Sequence, residues 1–191
     1  MAIRFLSYQS ETQAVLPLLI HEAATTGRVE RLASQAILVM SGLSEMLARG
    51  MELSVMCSED YPFMDLEQDQ AETLLGDIFL AAVAAQCRVW PRGQIPDGFH
   101  DPVHSDTPVL LLAGERDPVT PPHYAHQAAA GFTRSRVLIA RGQSHSVLRN
   151  VCLRDIATRF IEHGSLDELG TECVERIRPA PFFTSLLGPE P

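Results

Sequence analysis

Between residues 109 and 163 two short apolar runs alternate with two helical patterns, and this alternation limits the possible folds of the chain most sharply. Val109-Leu110-Leu111-Leu112-Ala113 is continuously apolar, as a strand buried on both faces should be. Thr120 can cap a helix that has Pro121 in its first turn and runs to Gly131. Val137-Leu138-Ile139-Ala140 reads as a second buried strand. From about Val147 to His163 an amphipathic helical pattern ends at Gly164, a residue suited to a left-handed C-terminal cap. Strand, helix, strand, helix in this order predicts a parallel α/β unit with a crossover helix.

Functional groups in an open parallel sheet gather beyond the carboxyl ends of its strands. Two loops leave those ends: Gly114-Glu115-Arg116-Asp117-Pro118-Val119-Thr120-Pro121 and Gly142-Gln143-Ser144-His145-Ser146. Asp117 and His145 therefore fall on the same edge of the predicted sheet. An aspartate there can fix the tautomer of an imidazole and stabilise its charged form, and the imidazole can then deprotonate a nucleophile. Each residue also has an ordinary reading. Asp-Pro is a common turn dipeptide, Asp117 could serve only as a cap, and His145 is one of seven histidines. Matching strand ends with a helix between them favour the functional reading of the pair.

Upstream the chain reads as mostly helical. Residues 9–26 carry a broken apolar pattern that Pro17 starts or kinks, and Val29, Leu32, Ala33, Ala36, Met40, Leu43 and Leu47 repeat at helical spacing before Gly50. Glu52 to Cys57 reads as a short extended run leading into Ser58-Glu59-Asp60-Tyr61-Pro62. Ala71, Leu74, Leu75, Ile78, Phe79 and Val83 then mark one face of a further helix that ends before Trp90-Pro91. Residues 92–108, rich in Pro, Gly, Asp and His, read as a linker. Three segments follow: a helical 1–91, the linker 92–108, and an α/β portion 109–191.

Composition removes several classes of function. An apolar fraction of 46% with 20% charged residues is that of a globular chain. A formal charge of −9 argues against a nucleic-acid partner, which needs clustered Lys and Arg. The absence of any run of about 18 apolar residues argues against a membrane span. The first residues, Met1 to Leu6, lack the basic, apolar and small-residue sections of a signal peptide. His100 and His104 flank Asp101-Pro102 in a loop, so a zinc pair is not expected there. His123 and His126 are expected to face outward from a helix start, and Trp90 to anchor packing. Cys57, Cys87, Cys152 and Cys173 form no Cys-x-x-Cys pair; the count fits four buried thiols at least as well as two disulfides.

The string Pro-Val-Leu-Leu-Leu-Ala-Gly-Glu-Arg-Asp-Pro-Val-Thr-Pro-Pro, followed by Gly-Gln-Ser-His-Ser, resembles the C-terminal part of the proline iminopeptidase and tripeptidyl aminopeptidase branch of α/β-hydrolases. The resemblance extends to Val55-Met56-Cys57-Ser58-Glu59-Asp60, to Cys87-Arg88-Val89-Trp90-Pro91, and to Cys152 and Cys173. It implies a partial α/β-hydrolase fold: a helical lid in residues 1–91 and the last parallel strands with their helices in 109–191. It implies Asp117 as catalytic acid and His145 as base, in the chain order nucleophile, acid, histidine. It also implies disulfides Cys57–Cys87 and Cys152–Cys173, no cofactor, and a lean toward export. Glu59 and Asp60 would be lid-side acids for a substrate's free α-amino group, although an acidic turn in solvent before Pro62 explains them equally well.

The chain departs from the family in one decisive respect: it has no Gly-x-Ser-x-Gly elbow. Its nearest string, Gly42-Leu43-Ser44-Glu45-Met46, lacks the second glycine and falls inside a helical pattern. The expectation is therefore the C-terminal part of a serine exo-aminopeptidase acting on a peptide or small amide or ester, with its nucleophile in a missing N-terminal half. The alternatives are a non-catalytic module that binds peptides or docks on a separate N-terminal half, and an esterase on the same scaffold.

Overall fold

Parallel pairing of two six-residue strands, β1 (Val109–Gly114) and β2 (Ser135–Ala140), organises the α/β portion in the computed structural model, which describes residues 2–66 and 76–189. Their register runs from Val109 opposite Ser135 to Gly114 opposite Ala140. The helices are α1 (Ala2–Leu6), α2 (Ser10–Thr26), α3 (Glu30–Met46), α4 (Arg49–Val55), α5 (Ile78–Cys87), α6 (Pro122–Ala129) and α7 (Val151–His163). Helix α6 makes the crossover between the strands, because parallel neighbours cannot be joined by a tight turn. The described residues form two compact units: residues 40–66 with 76–101, and residues 2–39 together with 102–189. That division differs from a 1–91 segment followed by a linker, since 2–39 group with the α/β portion.

In the second unit, Ala140 at the end of β2, Val147, Leu153 on α7 and Ile177 form a buried cluster, with Leu112, Cys152 and Val174 packed against it. The sequence sets both ends of α7. Asn150 accepts the backbone N–H of Cys152 at 3.1 Å, and Gly164 closes the helix at φ 60°, its N–H bonded to Phe160 O. Cys152 is bridged to Cys173 in a six-residue 3₁₀ segment, Thr171–Arg176. Arg159 donates to the carbonyl of Leu169 at 2.9 Å, which ties the same segment back to α7. Helix α2 buries Ala14, Leu16 and Leu19 and receives the Phe183 N–H at the Ala14 carbonyl. It runs through Pro17 as one helix, where the broken apolar pattern suggests two pieces.

The strands are less covered than their apolar runs suggest. Val109 to Leu112 are half-buried, only Ala113 and Gly114 of β1 are buried, and β2 buries Ala140 alone. Two strands and one crossover helix leave apolar surface that a larger sheet would cover.

In the first unit, Cys57 and Cys87 are fully buried and bridged, and Val83 packs against them under Leu53, Met56, Tyr61, Met64 and Trp90. Trp90 also donates to the Ser54 hydroxyl at 3.1 Å, so it anchors packing. Glu52 to Cys57, expected to be extended, is helical: α4 passes directly into a π-helical turn, Met56–Asp60, and a 3₁₀ turn, Tyr61–Phe63. Glu52, Leu53 and Met56 are good helix formers, Arg49 and Glu52 pair at 2.5 Å across one turn, and the run carries a single β-branched residue, Val55. Of the predicted 71–83 helix, Ala71, Leu74 and Leu75 lie outside the described residues, and α5 contains the rest.

Candidate active site

The loop after β1 turns back on itself through Asp117. The N–H of Asp117 bonds Gly114 O at 3.2 Å, while its side-chain Oδ1 accepts the N–H groups of Val119 at 2.8 Å and Thr120 at 3.0 Å. These are the bonds of an Asp-initiated turn, so the local reading of Asp117 holds as far as it goes. The second oxygen does something further. Oδ2 accepts the Thr120 hydroxyl at 2.9 Å and faces His145 Nδ1 at 2.9 Å. Thr120, expected to cap α6, turns its hydroxyl toward this carboxylate instead, and Pro121 occupies the N-cap position without a side-chain bond. The Thr120 oxygen also lies 3.4 Å from Nδ1, so carboxylate, hydroxyl and imidazole form one cluster.

The loop after β2 brings His145 to that cluster, and its path is fixed from both sides. Arg116 N–H bonds Gln143 O at 2.9 Å, Glu115 N–H bonds Ala140 O at 3.0 Å, and Glu115 Oε2 accepts the Gly142 N–H at 2.7 Å. Gly114 allows this approach: a Cβ there would lie 2.2 Å from Ser144 O and 2.6 Å from Gln143 O. Gly142 is at φ +66° against Pro179, a second place where only glycine fits. On the other side the turn after α1 and the first residue of α2 clasp the loop. Ser144, almost fully buried, donates its hydroxyl to Ser7 O; its N–H bonds Ser10 Oγ at 3.0 Å, and Ser146 N–H bonds Tyr8 O at 3.3 Å. The Tyr8 ring lies 5.6 Å from the His145 ring.

Burial separates the two principal groups. The Asp117 side chain is 4% exposed and that of His145 38%. Burial by itself opposes the charge on Asp117, but the Thr120 N–H, His145, the Val119 N–H and the Thr120 hydroxyl together outweigh it and hold the carboxyl below the usual aspartate range. An ionised Asp117 calls for the tautomer of His145 with its proton on Nδ1, which leaves Nε2 as the basic nitrogen. Among the described residues none hydrogen-bonds that nitrogen. The arrangement can accept a proton at Nε2 and stabilise the resulting imidazolium through Asp117.

The structure thus brings Asp117 and His145 together. Glu59 and Asp60 belong to the other compact unit, in the π-helical turn beside buried Cys57. Neither carboxylate has a hydrogen bond or ion pair among the described residues; the Glu59 carbonyl meets His100 Nε2 at 2.8 Å. Ser44 lies within α3. His123 and His126 are exposed on α6. Among the described residues no group of three or more His, Cys, Asp or Glu could hold a metal, and no helix is long and apolar enough to cross a membrane.

Residues 72–173, which include the Asp117 and His145 loops, match the family model described as TAP-like protein, and the chain belongs to that α/β-hydrolase family. No curated protein and no solved structure matches it. Family and fold together indicate hydrolase chemistry.

Proposed function

We propose that the chain supplies the acid and base of a serine hydrolase, an exo-aminopeptidase that removes residues or short peptides from free N-termini, with the nucleophile outside these 191 residues. The observation that carries the reading is the 2.9 Å contact between buried Asp117 Oδ2 and His145 Nδ1, which leaves Nε2 free of protein partners among the described residues. In this scheme Nε2 removes the proton of a serine hydroxyl as that oxygen attacks the amide carbonyl. It then returns the proton to the departing nitrogen, while Asp117 stabilises the imidazolium between the two transfers. The half-covered two-stranded sheet fits a larger parallel sheet whose other strands bring the nucleophile. The helical residues upstream act as the lid, and Glu59 with Asp60 are assigned to the substrate's ammonium.

The test begins with the chain by itself. It should neither hydrolyse aminoacyl chromogenic amides nor take a serine-directed phosphonate label, because a base without its nucleophile has no acyl-enzyme route. Joined to a segment bearing a Gly-x-Ser-x-Gly elbow, it should gain turnover, with the label on a serine of that segment. A label on a serine of this chain, with turnover by the chain alone, contradicts the reading.

A further inference from the structure

On the loop that carries His145, the second unit holds a polar cavity of about 290 Å³ whose lining does not include His145 itself. Ser10 and Glu11, at the start of α2, form one side; Gln143, Ser146, Arg149 and Asn150 form another. Two of these lining residues carry opposite charges. Glu11 and Arg149 nevertheless make no ion pair with each other or with any described residue, which places their charged atoms more than 4.0 Å apart. Opposite charges lining one cavity without meeting leave room for a molecule that carries both complementary charges. The cation offered to such a molecule is Arg149 and the anion is Glu11.

We propose that this cavity is a leaving-group pocket for a small zwitterion, a free amino acid or dipeptide, whose carboxylate is held by Arg149 and whose ammonium is held by Glu11. The assignment of a leaving group rests on the acid–base role proposed for His145; the binding itself does not. When an amide is cleaved, the nucleophile's oxygen bonds the acyl carbon and the carbon–nitrogen bond breaks. His145 gives the nitrogen the proton it took from the nucleophile, and the free amine takes another from water at neutral pH. The departing piece therefore becomes a zwitterion beside the residue that released it. Gln143 and Ser146, two residues before and one after His145, line the cavity, so one short loop carries both the base and a wall of the cavity. The substrate class that follows is short peptides with a free C-terminus.

Titration calorimetry on the 191-residue chain tests the pocket with three probes: Ala-Ala, N-acetyl-Ala-Ala and Ala-Ala amide. Ala-Ala should bind about three- to fivefold more tightly than either blocked form, since each block removes one charge-assisted hydrogen bond at an exposed side chain. Exposure of both side chains keeps the preference near that size. Arg149→Gln should abolish the preference over the amide alone, and Glu11→Gln the preference over the acetylated form alone. The probe series on the unsubstituted chain is decisive even if a variant fails to fold. Equal affinities for the three probes, or no saturable heat with Ala-Ala, overturn the pocket. Equal affinities alongside His145-dependent turnover in the nucleophile-bearing polypeptide would leave the hydrolase reading standing. Selective binding of Ala-Ala where turnover does not need His145 would uphold the pocket and reject its leaving-group role.

Discussion

Asp117 accepts four contacts through two oxygens, and each oxygen serves a different purpose. Oδ1 holds the turn through Val119 and Thr120, while Oδ2 joins the Thr120 hydroxyl to His145. Asp117→Asn keeps one acceptor oxygen but places an amide where His145 needs a carboxylate. In the nucleophile-bearing polypeptide kcat should fall by about 10⁴, as in the serine-protease case, with KM little changed; steady-state kinetics on an aminoacyl amide checks this. Acid stability follows from the same bonds. A carboxyl whose folded pKa is lowered binds fewer protons folded than unfolded, where the aspartate value is about 3.9. Its stabilisation is complete above the unfolded value and is lost as pH falls through that value toward the lowered one. Melting curves between pH 7 and about pH 3 should therefore converge for the native chain and Asp117→Asn at the acid end. A constant gap between them would show that ionised Asp117 contributes no pH-dependent stability. The meeting of Asp117 and His145 was readable in the sequence because local turn chemistry and strand-end position mark both residues. The hydroxyl of Thr120 was not, since Asp-x-x-Thr supports a helix cap as readily as a bond back to the aspartate. Ser7, Tyr8 and Ser10 gave no signal at all, because their partners in the histidine loop lie more than a hundred residues away.

At the scale of elements, the site depends on how closely two strand ends approach. Gly114→Ala would drive a methyl into the carbonyls of Ser144 and Gln143, which are backbone and cannot rotate aside. It should destabilise the chain by about 1–3 kcal/mol or more in urea unfolding and move His145 from Asp117. A neutral effect would mean that the histidine loop is free to shift. The bridges are the second determinant. Cys152–Cys173 spans 21 residues and Cys57–Cys87 spans 30, and loop entropy alone assigns each about 3–4 kcal/mol. Replacing both cysteines of one pair by serine should lower stability by an amount of that order, read from the urea midpoint and slope. The strands and α7 were legible from continuous apolar runs and clear caps. Glu52 to Cys57 was misread because six residues are too few to show a period.

For the whole molecule, the two-stranded sheet matters most. Val109 to Leu112 and most of β2 keep part of their apolar surface, with Ile139 at 36% exposure. Such a surface should bind a hydrophobic dye strongly in the chain alone and lose that binding once further strands are present. Dye fluorescence unchanged by those strands would count against a completed sheet. The central claim concerns His145, and one measurement tests it most directly: turnover by His145→Ala in the polypeptide that carries both this chain and a nucleophile elbow. Nε2 of His145 is the only group assigned to both proton transfers, so kcat on an aminoacyl amide should fall to near the detection limit while urea unfolding remains a single cooperative transition, shifted by no more than the lost Asp117 bond accounts for. Undiminished turnover with the fold intact would contradict the acid–base role given to Asp117 and His145.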